Sequence, residues 1–472
     1  MVGKESKMKN KFIRKWLVIL TVAAMMIPAG IPANAETVEE GENIAPTAGI
    51  SAETPNVTAE TQKEEISAEM PDMTAETQNE EKSDVQAEGQ NQAKQGVLEA
   101  VRQNTEKAEE ASDAVDVQAE ERTAGEVQIG EQIYPTLTEA FAAAKDGDVL
   151  RLLENAEVSQ PILLTKNVTL DTNGFTVSAA AGFKGNFMFT NRGTFNIVGS
   201  GKIDGSVGTY PLIMINNTGG AVLNIQSSEI TGQGVVQNVG GIVNITGGTL
   251  TASARNTVLS QFGEVHIGAS AHLMAAGEGK SAVQLIGAKM TLSGDAVLSG
   301  NGGIDVFNSN RNEEGTVSAQ VEITGGRIET KDFPVSGNNQ ESAGAEVAIT
   351  GGSLKNISGG TAIYWPMEGQ LTIGGNAVIE GGTGIEAKMG TITIKDNAVI
   401  TGSGEWKEEK PQNGGANPEG SAFLGSAQMY DGCINDSSLV VNILGGTLKS
   451  VNGNAVTIYN TEEKSDVRAD IS

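Results

Sequence analysis

Few polar side chains of this 472-residue chain are placed to do chemistry. The most suggestive lie on the third strand of a repeated unit: Gln284, Asp305, Tyr364, Glu386 and Lys388. Asp305 and Glu386 could supply the carboxylate pair of a glycoside hydrolase. Several repeats of about 4.8 Å separate them, which is too far for a pair. Glu386 and Lys388 could act as a base and its partner, but a surface ion pair is the simpler interpretation. We therefore predict no catalytic residue and lean against an enzyme.

Aromatic residues make up only 4% of the chain, so those near a strand end are candidates for ligand binding. In Tyr364-Trp365-Pro366 the proline cannot continue a ladder of backbone hydrogen bonds and ends the strand. Neighbouring residues of a strand face opposite sides, so one of Tyr364 and Trp365 should point outward, where a flat ring could hold a sugar. The predicted ligand-binding residues are Tyr364, Trp365, Trp406 and Glu386.

Metal and cofactor sites are not indicated by the sequence. The two histidines, His266 and His272, lie on one repeat, and no Cys or Asp converges on them. The single cysteine, Cys433, excludes an internal disulfide and is interpreted as a small buried side chain on a strand. We predict no metal and no cofactor; calcium would enter only under a lyase alternative.

The repeated unit is recognised from a phrase that returns along the chain. Residues 243–250 read VNITGGTL, and close copies begin at Val321, Val347 and Val441. With looser copies included, successive copies are 20 to 31 residues apart, with one interval of 49. A period in the twenties with alternating apolar residues predicts a solenoid built from strands.

Each repeat is predicted to form three short strands, which in the best copy are 242–246, 249–253 and 257–262. Alternation puts Val243 and Ile245 inward and Asn244 outward. Roughly 22 residues per turn on three faces fits an all-β solenoid, a right-handed parallel β-helix. The outward residues of the first strand form a mostly neutral series, typical of a solvated face: Asn196, Asn224, Asn244, His266, Thr291, Glu322, Ala348, Thr372, Thr393 and Asn442.

Two segments are predicted to precede the solenoid at 126–472. Residues 1–35 have the basic start, apolar run and small residues at 33–35 of a signal peptide, so no membrane insertion is expected after cleavage. Residues 36–125 hold 23 acidic and 6 basic residues and a tandem 16-residue repeat, which predicts a disordered acidic spacer. A net charge of −27 argues against nucleic acid as a partner.

A short helix is predicted at the start of the solenoid. Thr136 and Glu139 form a capping box, and Leu137, Ala140, Phe141 and Ala144 share one helical face. Such a helix would cap the exposed apolar end of the solenoid.

Insertions mark the corners of several repeats. Two of them, 308–318 and 338–345, lie where a third strand returns to a first, and a further insertion, 404–420, contains Trp406. Insertions gathered on one edge of a solenoid often form its binding surface. The last four residues, 469–472, match the pattern of 243–246, so we expect the solenoid to continue past Ser472.

The block from Tyr134-Pro135-Thr136-Leu137 to Leu170-Asp171-Thr172-Asn173-Gly174 resembles the N-terminal cap and first turn of pectin-lyase-like β-helix proteins. The Ile-Thr-Gly-Gly-Thr-Leu repeats resemble those of surface proteins from Gram-positive bacteria. The resemblance implies the fold, which hosts lyases, hydrolases and non-catalytic adhesins alike.

We expect a secreted or cell-surface module for adhesion, glycan binding or surface display. Its expected partner is an extracellular glycan, or a host or cell-wall surface. The alternative is a polysaccharide lyase or glycoside hydrolase that acts on an acidic polysaccharide. Calcium-dependent cleavage of a uronic acid polymer would favour that alternative.

Overall fold

The computed structural model describes residues 125–206, 209–307, 317–338, 344–407, 416, 419–427, 438–460 and 466–472. These residues form an all-β parallel solenoid of the right-handed type with about 11 turns. The predicted signal peptide and spacer, Cys433 and most of the three corner insertions lie outside the described residues. The predicted solenoid architecture is confirmed.

Three sheets run along the solenoid, and each full turn contributes one strand to each of them. The first sheet has 15 strands, and its first three pair antiparallel before the parallel series begins. In spatial order its strands are Gln132–Tyr134, Val127–Ile129, Val149–Leu152, Asn167–Asp171, Thr194–Val198, Val222–Ile225, Ile242–Ile245, Glu264–Ile267, Lys289–Leu292, Gln320–Ile323, Ala345–Ile349, Gly369–Ile373, Gly390–Ile394, Ser438–Ile443 and Asp466–Ile471.

The second and third sheets have 12 parallel strands each. The strands of the second are Ala156–Val158, Thr176–Ala179, Lys202–Asp204, Glu229–Gly232, Thr249–Ala252, His272–Ala275, Val297–Gly300, Arg327–Thr330, Ser353–Asn356, Val378–Gly381, Val399–Gly402 and Thr447–Ser450. Those of the third are Ile162–Leu164, Phe187–Asn191, Ile213–Thr218, Val236–Val239, Val258–Gln261, Ser281–Ile286, Gly302–Phe307, Val335–Asn338, Thr361–Trp365, Thr383–Ala387, Phe423–Ala427 and Val456–Asn460.

The core of the solenoid is made by the inward residues of the three strands. Val243 and Ile245 are completely buried, as is Leu250 on the next strand, whereas Asn244 between the first two is half-buried. Strands with a period of two bury every second side chain, so the inward columns of Val, Ile and Leu fix the register from turn to turn. The inward and outward assignments predicted for this repeat are confirmed.

The corner between the first and second sheets needs a left-handed backbone. Gly248 has a φ of 83°, and the residue in the same place one turn earlier, Ser228, has a φ of 82°. A Cβ on Gly248 would lie 2.4 Å from the carbonyl oxygen of Ser228, so the stacking of the turns leaves no room for a side chain there. The Gly-Gly phrase therefore reflects both backbone conformation and close stacking.

The predicted helix is present at Leu137–Ala143, and the Thr136 side chain accepts a hydrogen bond from the Glu139 backbone N–H. All four residues of the predicted apolar face, Leu137, Ala140, Phe141 and Ala144, are buried. The Phe141 ring meets the rings of Phe189 and Phe195 edge-on at 5.9 and 6.0 Å. The helix is thus joined to the apolar interior of the first turns.

A column of buried amides, which sequence analysis missed, lies where the third sheet turns into the first. Asn191 donates a hydrogen bond to Asn217 at 2.8 Å, Asn217 donates to Asn238 at 2.9 Å, and Asn238 donates to Ser260 at 3.0 Å. The asparagines also donate to backbone carbonyls at the same corner. Buried polar groups are tolerated only when they are paired, and this column pairs them from turn to turn.

Candidate functional site

The outer face of the first sheet carries a row of side chains that are polar at every turn except that of Ala348. The ten outward residues predicted from the sequence pair in direct register, from Asn196 with Asn224 to Thr393 with Asn442. At the N-terminal end the side chains are linked along the axis: Asn244 donates to Asn224 and Asn224 to Asn196, each at 2.7 Å. We call this series the central row, and its predicted register is confirmed.

A second outward row, missed by the sequence analysis, runs beside the central row two residues earlier on each strand. Between the turn of His266 and the turn of Thr372 it consists of Glu264, Lys289, Gln320, Glu346 and Gln370. The same alternation that identified the central row would have found these residues, because positions i and i−2 of a strand share a face. We call this series the flanking row.

The two rows line a shallow groove of about 450 Å³ that crosses five turns of the first sheet. Five strands at a spacing of about 4.8 Å give the groove a length of roughly 20 Å along the solenoid axis. Its charged lining residues are Glu264, Lys289, Glu322 and Glu346, together with the titratable His266. With three carboxylates and one ammonium, the groove is acidic.

Contacts within the groove are concentrated at its N-terminal end. The Glu264 carboxylate lies 3.7 Å from Lys289 Nζ and 3.6 Å from His266 Nε2, while His266 Nδ1 is 2.9 Å from Thr291 Oγ1. Further along, Gln320 Nε2 reaches the Glu346 carboxylate at 3.5 Å. These side chains are partly exposed, so their ion pairs add little to stability and can exchange partners with a ligand.

The sequence predicted an exposed aromatic ring on the third sheet, at Tyr364 or Trp365, and this prediction is wrong. Trp365 points inward and is completely buried, and a Cβ on Gly337 would lie 3.2 Å from the Trp365 ring. Tyr364 points outward as the alternation requires, but it is only 8% exposed because the Phe333 ring stacks on it at 5.1 Å. Neither ring presents a face to solvent.

The pair Glu386 and Lys388 also differs from the prediction of a surface ion pair. Both side chains are completely buried, with Lys388 Nζ 3.8 Å from Glu386 Oε1 and 5.4 Å from the centre of the Tyr364 ring. Thr361 donates a hydrogen bond to the other carboxylate oxygen of Glu386 at 3.3 Å. Burial lowers the pKa of Lys388, and the neighbouring Glu386 carboxylate opposes that shift.

Asp305 lies on the same outward row of the third sheet as Glu386, three strands away through Ser336 and Tyr364. At about 4.8 Å per strand the separation is roughly 14 Å, so the predicted distance between the two carboxylates is confirmed. Burial raises the pKa of Asp305, although hydrogen bonds from Ser336 and Ser281 oppose the shift.

Trp406 is half-buried, and its indole packs on the backbone of Gly453. His266 and His272 lie on one turn but on different sheets, and His272 Nε2 is 2.9 Å from Ser299 Oγ. Burial, helped by the charge of Arg327, lowers the pKa of His272. Among the residues that the structure describes, no three His, Cys, Asp or Glu side chains gather in a way that could hold a metal ion.

Within the described part of the chain, no helix has the length and apolar character needed to cross a membrane. No protein-family model, no curated protein and no solved structure matches the chain. The fold places the chain in the class of parallel β-solenoids, and that fold does not by itself assign a function.

Proposed function

We propose that the chain is a secreted or cell-surface β-helix whose solenoid binds an extracellular glycan without cleaving it. The observation that carries the proposal is the groove on the first sheet, with its two rows of mostly polar side chains in register over five turns. Rows of amide, hydroxyl and carboxylate groups at a fixed spacing suit a ligand that is itself a repeating polar chain. Adhesion or surface display would follow from such binding.

The charge of the groove favours a neutral glycan over an acidic one. Glu264, Glu322 and Glu346 face a single Lys289, and a polymer of uronic acids would meet net repulsion there. This charge balance weighs against the alternative of a lyase or hydrolase for acidic polysaccharides. Because Tyr364, Trp365 and Glu386 are buried, the proposed binding site lies on the first sheet and not at these residues.

The proposal also includes secretion of the chain and its origin in a Gram-positive bacterium. The signal-like residues 1–35 support secretion, and the Gly-Gly repeats support a surface protein of a Gram-positive bacterium with a pectin-lyase-like β-helix. The burial of Phe141 against Phe189 and Phe195 supports a capping role for the first helix.

A glycan array that contains neutral, amino and acidic oligosaccharides tests the proposal with the full chain. We expect retention on neutral glycans and loss of that retention on replacing Gln320 and Gln370, which line the groove, by alanine. A rise in the absorbance of unsaturated products from an added uronic acid polymer would instead establish the lyase alternative.

A further inference from the structure

Phe262, at the corner between the third and first sheets, has a backbone conformation that bulky residues avoid. Its φ is 57°, in the left-handed region. Among the described residues only four other non-glycine residues have a positive φ, and none of them is aromatic: Asn173, Ser228, Ala269 and Asp396. A Cβ in this region crowds the carbonyl oxygen, so a phenylalanine here is disfavoured by the backbone.

The neighbouring turns place glycine at the same corner position. Glu264 pairs with Ile242 on one side and with Lys289 on the other, which aligns Phe262 with Gly240 and Gly287. Their φ angles are 69° and 56°, so the three consecutive turns share one corner conformation. Glycine would adopt this backbone conformation at position 262 without strain, so the conformation does not explain why a phenylalanine stands there.

The ring of Phe262 is accessible. It is 38% exposed, in a part of the chain where large apolar side chains are mostly buried. The aligned glycines carry no side chain to cover it, and a Cβ built on Gly240 would meet no atom within 4 Å. Phe262 therefore offers apolar surface to solvent at this corner.

Phe262 also stands at the edge of the groove. The first-sheet strand Glu264–Ile267 begins two residues later and supplies Glu264 and His266, the first lining residues of the groove. The backbone N–H of Phe262 donates to the Ile286 carbonyl at 3.1 Å, which fixes the corner against the following turn. The corner that carries Phe262 is therefore fixed beside the first turn of the groove.

We propose that Phe262 is an aromatic platform on which one uncharged sugar ring of the glycan packs, while the rest of the glycan lies in the groove. The apolar C–H face of a pyranose would cover the exposed ring, and its hydroxyl groups would remain free for Gln320, Gln370 and the carboxylates. This inference rests on the proposed glycan-binding function and names the contact that sets its ligand class.

The test is calorimetric titration of the full chain with three hexasaccharides: chitohexaose, cellohexaose and hexagalacturonate. Phe262→Gly should weaken binding of the neutral hexasaccharides about tenfold. It should move the melting temperature by less than about 3 °C, because the aligned turns already use glycine. Phe262→Trp should retain binding.

Ile357→Ser, which removes another exposed apolar side chain at the corner after the second sheet, is the matched control and should leave binding unchanged.

Each result decides between the two proposals. Binding of a neutral hexasaccharide that is equal in wild type and Phe262→Gly would overturn the platform and leave the glycan-binding function standing. Failure of the wild-type chain to bind either neutral hexasaccharide would overturn both. Tighter binding of hexagalacturonate than of the neutral pair would overturn the assignment of an uncharged ligand.

Discussion

Lys388 Nζ lies 3.8 Å from Glu386 Oε1, and both side chains are completely buried although they belong to the outward face of a sheet. Removal of Lys388 would take a counter-charge away from the buried Glu386 carboxylate. Lys388→Met should therefore lower the free energy of unfolding by about 3 kcal/mol, measured by urea denaturation followed by circular dichroism.

Two further variants test this account of the pair. The double variant Lys388→Met/Glu386→Gln should lose less stability than the sum of the two single changes, since a coupled pair is not additive. Lys355→Met breaks a pair of similar type at 2.9 Å with Glu380, but that pair is about half exposed and its loss should not be measurable. Additive effects of the two changes at 386 and 388 would show that the charges are not coupled.

Much of the fold could be predicted because one physical rule governs it. Alternation of apolar residues decides which side chains of a strand point inward, and stacking of identical turns repeats that decision, so the central row from Asn196 to Asn442 followed from the sequence. The same rule predicted that one of Tyr364 and Trp365 faces outward, and Tyr364 does.

Alternation along a strand does not predict whether other side chains cover the outward face. Phe333 lies in the connection before Val335–Asn338, the third-sheet strand one turn earlier than that of Tyr364. It stacks on Tyr364 and buries it, and the periodicity of the strands does not predict that contact. The buried amides of Asn191, Asn217 and Asn238 were missed for a different reason. They occupy inward positions of the third-sheet strands, but an asparagine interrupts the apolar pattern, and its partners on the neighbouring turns cannot be read from one strand alone.

The column of buried amides and the asparagines of the central row provide a matched comparison of buried and half-buried hydrogen bonds. Asn217 and Asn224 each accept from one asparagine and donate to another, but Asn217 is completely buried and Asn224 is half-buried. Asn217→Ala removes one hydrogen-bond partner from each of the buried amides of Asn191 and Asn238, where water cannot replace it, and should cost about 2 to 4 kcal/mol. Asn224→Ala should cost less than about 1 kcal/mol, because water can replace the lost partner.

Thermal unfolding followed by circular dichroism measures both asparagine variants under the same conditions. The melting temperature of Asn217→Ala should fall well below that of Asn224→Ala. Equal shifts for the two variants would mean that burial of the column adds nothing to its contribution to stability.

The contact of Trp406 with Gly453 gives a spectroscopic prediction. A Cβ on Gly453 would lie 2.1 Å from Cε3 of Trp406, so Gly453→Ala must push the indole away. We expect the tryptophan emission to shift to longer wavelength as Trp406 moves toward water. Gly182→Ala adds the same methyl group where no atom lies within 4 Å and should leave the spectrum unchanged. An unaltered spectrum of Gly453→Ala would contradict the packing of Trp406 on that backbone.

The last prediction concerns acid stability and the carboxylate of Asp204. Burial alone would raise its pKa, but hydrogen bonds from Ser206, Lys202 and Thr231 outweigh burial and lower the pKa to about 2. A carboxyl whose pKa is depressed in the folded state stabilises the fold above its unfolded pKa, near 4, and loses that contribution as the pH falls toward 2. With allowance for solvent screening, the contribution at neutral pH is about 1 kcal/mol.

Asp204→Asn should flatten the fall in melting temperature between pH 4 and pH 2, and Ser206→Ala should flatten it more than Lys202→Met. A larger effect of Lys202→Met would show that the ion pair lowers the pKa of Asp204 more than the Ser206 hydroxyl does.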